Sequence, residues 1–293
     1  MARLSGSPGR AWSAVDLATR WWWRLWGRSI DPYGDERWLA GPHQDRGGTG
    51  DDWLEDFAGQ GLVRPADAGD GLLPDPGLLA GPEFDPAALH PSVADFYRHA
   101  ASYRMDVWSQ WSRLAAPVGA AITLLFGRRL RQLALPVEPL AVSRGLTSTI
   151  RIVDDPDTAR PGAAWLRTLV SDGSTVFSGF YRVGQVPGSD QPHVWVTFPL
   201  EQGNLQVFLR PELGEDGSLW LVSRSHQFGD DGAYVTVRFG DRWWAANLAI
   251  HERFHVYVDE VGTLRTDHTL KVLGLAALRL HYRLVPDPRP SIT

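Results

Sequence analysis

Five consecutive residues, His251-Glu252-Arg253-Phe254-His255, spell H-E-x-x-H. On a helix that spacing sets two imidazoles one turn apart on one metal ion. The glutamate then activates the metal-bound water of a zinc hydrolase. The flanking residues predict a strand instead. Val256-Tyr257-Val258-Asp259 continues the run, Gly262 follows, and a second alternating run begins at Leu264. On a strand, His251, Arg253, His255, Tyr257 and Asp259 take one face, and Ile250, Glu252, Phe254, Val256 and Val258 take the other. The glutamate then points away from both histidines, and hydrolysis loses its base. HExxH at 251–255 is read as a false zinc-protease match. No metal ligand and no catalytic residue is assigned, and the balance leans against an enzyme.

A three-residue loop at Glu260-Val261-Gly262 places glycine where such hairpins favour a left-handed residue. Val258 then faces Leu264, Val256 faces Thr266, Phe254 faces His268, Ile250 faces Val272, His255 faces Asp267 and Tyr257 faces Arg265. One side of the hairpin is apolar and the other polar, as a half-buried sheet requires. Glu252 and His268 stand out, diagonal to each other on the apolar side. A carboxylate and an imidazole in an apolar interior need partners. Paired only with each other, they are a satisfied core pair. As a polar anchor inside an apolar cavity, they are ligand-binding residues for an apolar or lipid-like small molecule, which is the preferred reading. An enzyme using them as an acid–base pair is a further alternative.

These residues need a scaffold, and three zones of the chain differ in composition. Residues 1–28 carry an amphipathic Trp/Arg helix. Trp12, Val15, Thr19, Trp22, Trp23 and Trp26 fall on one side, Arg20 and Arg24 flank them, and Gly27 ends it. Trp22, Trp23 and Trp26 are its candidate contacts with a membrane surface or protein partner, since tryptophan and arginine suit a bilayer interface. Packing on its own domain is the competing reading. Residues 29–90 are rich in Gly, Pro and Asp and read as a flexible acidic linker. Residues 91–286 read as the folded domain, with 287–293 as a tail.

The domain opens with two expected helices. One starts at Pro91 and carries Val93, Phe96, Tyr97, Ala100, Tyr103, Val107, Trp111 and Leu114 at spacings of three and four. The other starts at Pro117 and ends at Arg128, Arg129 and Arg131. From Gly145 the period becomes two. About ten strands follow, separated by turn dipeptides such as Gln202-Gly203 and Asp216-Gly217. Short links predict an antiparallel meander, and two bare edges favour closure. The expected fold is α+β: two N-terminal helices packed on a large antiparallel β-meander, a closed or nearly closed barrel.

Composition narrows the function classes. A net charge of -5 in 293 residues argues against nucleic acid as a partner. Zero cysteines remove thiolate chemistry and disulfides and fit a reducing, cytoplasmic setting, with membrane association left to the N-terminal helix. No secretory signal and no apolar run of spanning length is visible. Walker A, G-x-S-x-G and Rossmann patterns are absent, so no cofactor is expected. Acidic loops at Asp154-Asp155-Pro156-Asp157 and Gly229-Asp230-Asp231-Gly232 lack EF-hand spacing.

Four short motifs carry a family resemblance: His90-Pro91 before an aromatic helix, Trp165-Leu166-Arg167, Phe177-Ser178, and Leu280-His281-Tyr282-Arg283. In these the third zone resembles a bacterial domain of unknown function found alone or fused behind saccharopine-dehydrogenase-like reductases. The resemblance covers about two thirds of the chain. It implies a partner oxidoreductase or a lipid-like substrate, and supplies no catalytic residues.

Overall fold

The computed structural model describes residues 10–44, 51–111, 146–155, 160–170, 173, 175–225 and 227–287. Three α-helices, α1 (Arg10–Trp26), α2 (Glu55–Gly59) and α3 (Pro91–Arg98), accompany fourteen strands. The strands are β1 (Arg28–Ile30), β2 (Val63–Pro65), β3 (Tyr103–Trp111), β4 (Leu146–Asp155), β5 (Arg160–Leu169), β6 (Thr175–Gly184) and β7 (His193–Leu200). They continue with β8 (Gly203–Leu213), β9 (Leu219–Val222), β10 (Gly232–Phe239), β11 (Arg242–Leu248), β12 (Ile250–Val258), β13 (Leu264–Val272) and β14 (Leu275–Pro286).

The strands form one antiparallel sheet in the order β2-β4-β5-β6-β7-β8-β9-β12-β13-β14-β3. It is not a simple meander. The eleven-residue β8 outruns any one partner, so one edge serves two strands: Gly203–Phe208 pairs with β10 and Arg210–Leu213 with β9. The β10–β11 hairpin branches off there, and β9 passes to β12. Contrary to the expected closure, the sheet stays open. Its ends are β2 and β3, and β3 approaches β4 without a ladder between them.

The hairpin β12–β13 has the register that its apolar pattern demands, Val258 opposite Leu264 through Ile250 opposite Val272. Gly262 sits at φ +78°, in the left-handed region where a Cβ is strained, and Asp259 Oδ1 accepts from the Val261 and Thr263 amides.

Two readings of the chain before β4 are corrected. The helix from Pro91 stops at Arg98 rather than running to Leu114. Tyr103, Val107 and Trp111, four residues apart, fit a period of two as well as a helical one. Pairing with β14, from Tyr103 opposite Pro286 to Trp111 opposite Leu278, decides for the strand. Asp95 straddles the break, accepting from the Tyr103 hydroxyl at 2.6 Å while His99 Nδ1 lies 2.8 Å from its other oxygen. The helix expected from Pro117 lies outside the described residues.

The segment expected as a flexible linker is also built into the core in its described parts. Leu39, Leu54, Leu73 and Leu79 are essentially inaccessible to solvent. Leu72, Leu73, Leu79, Phe84 and Leu89 join α3 against one face of the sheet, here the inner face. Leu39 and Trp38 pack with Trp195, Phe208, Tyr234 and Trp243 on the opposite, outer face, and Trp53, Leu54 and Phe57 with Ala164, Leu166 and Phe180. Polar bonds fasten the outer cover: Gln206 Nε2 donates to the Leu39 carbonyl at 2.6 Å, and Arg182 Nη2 to the Ala40 carbonyl at 3.1 Å. Both faces of β7 are therefore buried along its whole length.

Leu73→Ala should consequently cost about 2–5 kcal/mol, read as a lower urea midpoint. The exposed Leu275→Ala should change stability by under about 0.5 kcal/mol. A Leu73→Ala midpoint equal to wild type would mean that the segment does not belong to the core.

Candidate functional site

Strand parity sorts the H-E-x-x-H residues before any chemistry is considered. His251 and His255 lie on the outer face of β12. His251 Nδ1 is 3.1 Å from the Ser223 carbonyl. His255 stacks flat on Trp220 at 3.7 Å, with Nε2 3.0 Å from Ser218 Oγ. Arg253 covers the same indole ring at 3.8 Å. The imidazoles are thus held by separate partners, and no cluster of three or more metal-ligating side chains occurs among the described residues. Asp267 and Arg265 continue this polar face and both reach His281.

Glu252 points the other way. On the inner face its Oε2 lies 3.1 Å from His268 Nε2, across the β12–β13 ladder. Their side chains are 16% and 10% exposed, so the pair is nearly dry without being sealed. The His268 ring stacks on Phe254 at 3.8 Å, and its Nδ1 is buried with no hydrogen-bond partner. An imidazole with one nitrogen bonded and the other bare has unspent capacity.

Arg167, which strand reasoning did not single out as a site residue, enters the same interior from β5. Only 8% of the residue is exposed. Its guanidinium lies 3.7 Å from the Trp165 ring centre and 5.3 Å from the rings of Phe177 and Tyr282. Nη2 reaches the Met105 sulfur at 3.5 Å, and Nε has no partner. Tyr181 and Tyr282 link the two halves of this interior, since each hydroxyl feels both Arg167 and Glu252. Burial pushes both hydroxyls well above the usual phenol range, and the Arg167 charge partly opposes it. The available signal was parity: odd positions of β5 face inward, which puts an arginine beside Trp165 among apolar neighbours.

Around these polar groups the inner face is apolar and incompletely covered. Val107, Phe177, Ile250, Phe254, Val258 and Leu270 pack against the core yet keep part of their surface accessible. A cleft of about 200 Å³ lies on the outer face between Tyr33, His43, Trp53, Phe57 and Trp243. The arginine at its floor, Arg182, is already engaged by Ala40 and Thr197. The inner face carries the unmet capacity of Arg167 Nε and His268 Nδ1; on the outer side of β7, His193 likewise leaves both ring nitrogens without a partner.

The third group of candidate residues sits apart, on α1. Arg20 Nη2 donates to the Arg238 carbonyl at 2.8 Å, and Arg24 lies over Phe239 and Trp244. Trp23 turns toward the sheet and packs on the main core. Trp22 and Trp26 remain outside, their ring centres 5.5 Å apart. The expected trio thus divides, with one tryptophan docking the helix and two left exposed. No described helix is long and apolar enough to cross a membrane.

Comparison with family models, with curated proteins and with solved structures finds no match.

Two imidazoles should shape the acid stability of this frame. His193 is wholly inaccessible and His255 is stacked, and burial holds both below the ordinary value of 6.5. The fold favours their neutral forms. Their contribution is present above 6.5 and is lost as pH falls below it, because the unfolded chain then binds more protons. Urea midpoints should drop between pH 7.5 and 5, with a shallower fall in His193→Asn. A variant slope as steep as that of wild type would remove His193 from this account.

Proposed function

We propose that the protein binds an apolar, lipid-like small molecule against the inner face, with the sheet acting as an incompletely closed barrel. The observation that carries this reading is the Glu252–His268 pair. It is a polar anchor set within an otherwise apolar, partly accessible face, as ligand sites commonly are. Its 3.1 Å contact satisfies one imidazole nitrogen and leaves the other open. Trp165, Arg167, Phe177 and Tyr282, which bear much of the resemblance to the uncharacterised bacterial domain, converge on the same interior. A binding role there accords with the lipid-like substrate that the resemblance implies.

Native mass spectrometry of the purified protein should show a bound apolar molecule, or a 1:1 adduct after addition of dodecanol. Leu270→Trp, which fills part of the accessible face, should weaken dodecanol roughly ten-fold, equivalent to about 1.4 kcal/mol. Failure of the wild-type protein to retain any apolar probe would sink the proposal.

A second reading concerns α1. Leu17, Trp21, Trp22, Leu25 and Trp26 form an exposed stripe at helical spacing, with Arg20, Arg24 and Arg28 close by. Such a face suits the interface of an anionic bilayer. The double variant Trp22→Ser/Trp26→Ser should reduce sedimentation with vesicles containing phosphatidylserine by roughly ten-fold or more. Equal sedimentation of variant and wild type would reject this role, whereas Trp23→Ser should instead lower stability.

A further inference from the structure

We propose that Arg167 is an anion anchor and that the ligand is a carboxylate-ended apolar chain. This rests on the reading that the inner face binds an apolar molecule. It names the chemical class of that molecule.

The argument begins with charge. A guanidinium stays protonated inside a protein, so 8% exposure cannot be relieved by losing a proton. Burying such a charge is costly unless a counter-charge meets it. No carboxylate pairs with Arg167 among the described residues. Its neighbours are three aromatic rings, the Met105 sulfur and the Tyr282 hydroxyl. Cation–π contacts recover part of the cost. They leave the hydrogen-bonding edge short of acceptors, and Nε has none.

Geometry selects the anion. Trp165 stacks on the guanidinium at 3.7 Å and covers a planar face. The edge of the plane remains, and an arginine edge matches a carboxylate through two parallel hydrogen bonds. Glu252 limits the charge the site can take. It acts on Tyr181 and Tyr282 together with Arg167, so it shares this interior, but it bonds to His268 rather than to Arg167. A single negative charge on the ligand meets Arg167 at modest repulsion from Glu252, whereas a dianionic phosphate meets a larger penalty. The apolar chain would run along Phe254, Val258 and Leu270, which keep accessible surface on the same face.

Isothermal titration with dodecanoate and dodecanol separates the outcomes. Wild type should bind dodecanoate roughly 10- to 100-fold more tightly than dodecanol, the range expected of a charged hydrogen-bonded pair. Arg167→Met should erase that preference, the acid losing roughly 10- to 100-fold more affinity than the alcohol. If Arg167→Met fails to fold, Arg167→Lys keeps the charge without the fork and should retain a smaller preference for the acid. Equal binding of acid and alcohol by wild type, or equal loss of both in the variants, would overturn the anion anchor while the apolar-ligand reading stands. Binding of neither probe by wild type would overturn both.

Discussion

Everything in this molecule follows from strands that must be buried on both faces. A sheet of this size cannot leave the apolar residues of β5 to β8 in water on either side. Among the described residues, α3 and the stretch from Leu72 to Leu89 cover the inner face, while the stretches around Leu39 and Leu54 cover the outer one. Each buried leucine in these covers contributes about 1.5–3 kcal/mol. The Gly- and Pro-rich composition that suggests a linker serves a different end. It lets the chain lie flat on a sheet, with backbone carbonyls offered to Gln206, Asn204 and Arg182. Turn-rich composition reports a lack of regular structure, and a lack of regular structure is compatible with close packing.

The same constraint explains why the polar groups of the inner face matter. Where both faces are enclosed, a charge cannot reach water by a small rotation of its side chain. On the outer face four buried side chains solve this together: Thr236, Asn204, Gln206 and Trp195 bond in a connected chain. On the inner face the solution is partial. Glu252 meets His268, but His268 Nδ1 and Arg167 Nε are left over. The outer face also keeps open valences, since His193, on the same side of β7 as Trp195, leaves both ring nitrogens without a partner. What sets the inner face apart is its guanidinium: Arg167 is met by aromatic rings and a sulfur, where Arg182 on the outer face meets the Ala40 carbonyl and the Thr197 hydroxyl.

Much of the β architecture was legible from alternation alone. The β12–β13 hairpin follows from a single requirement, that Val258, Val256, Phe254 and Ile250 share a face with Leu264, Thr266, His268 and Val272. A one-residue slip would bury Arg265 and Asp267. Tyr103 to Trp111 was not legible in this way, because Tyr103, Val107 and Trp111 also recur at helical spacing and only the β14 edge selects the strand. Arg242 to Leu248 escaped for a related reason. Trp243 and Trp244 present apolar surface to both faces, which erases the alternation on which strand reading depends.

The sequence by itself determined periodicity, and periodicity has local causes. It marked 251–255 as a strand rather than a helical zinc motif and sent Glu252 and His268 to one side of the hairpin, because side-chain direction repeats every two residues whatever the surroundings. What lay across from them was for the tertiary structure to decide. Glu252 is 85 positions from Arg167, and no local rule relates residues at that separation. Sheet curvature brings β5, β12 and β14 around one interior. Only that arrangement makes an arginine beside Trp165 into a buried charge without a carboxylate partner among the described residues, and sets a glutamate from a misleading motif on the same face of the sheet.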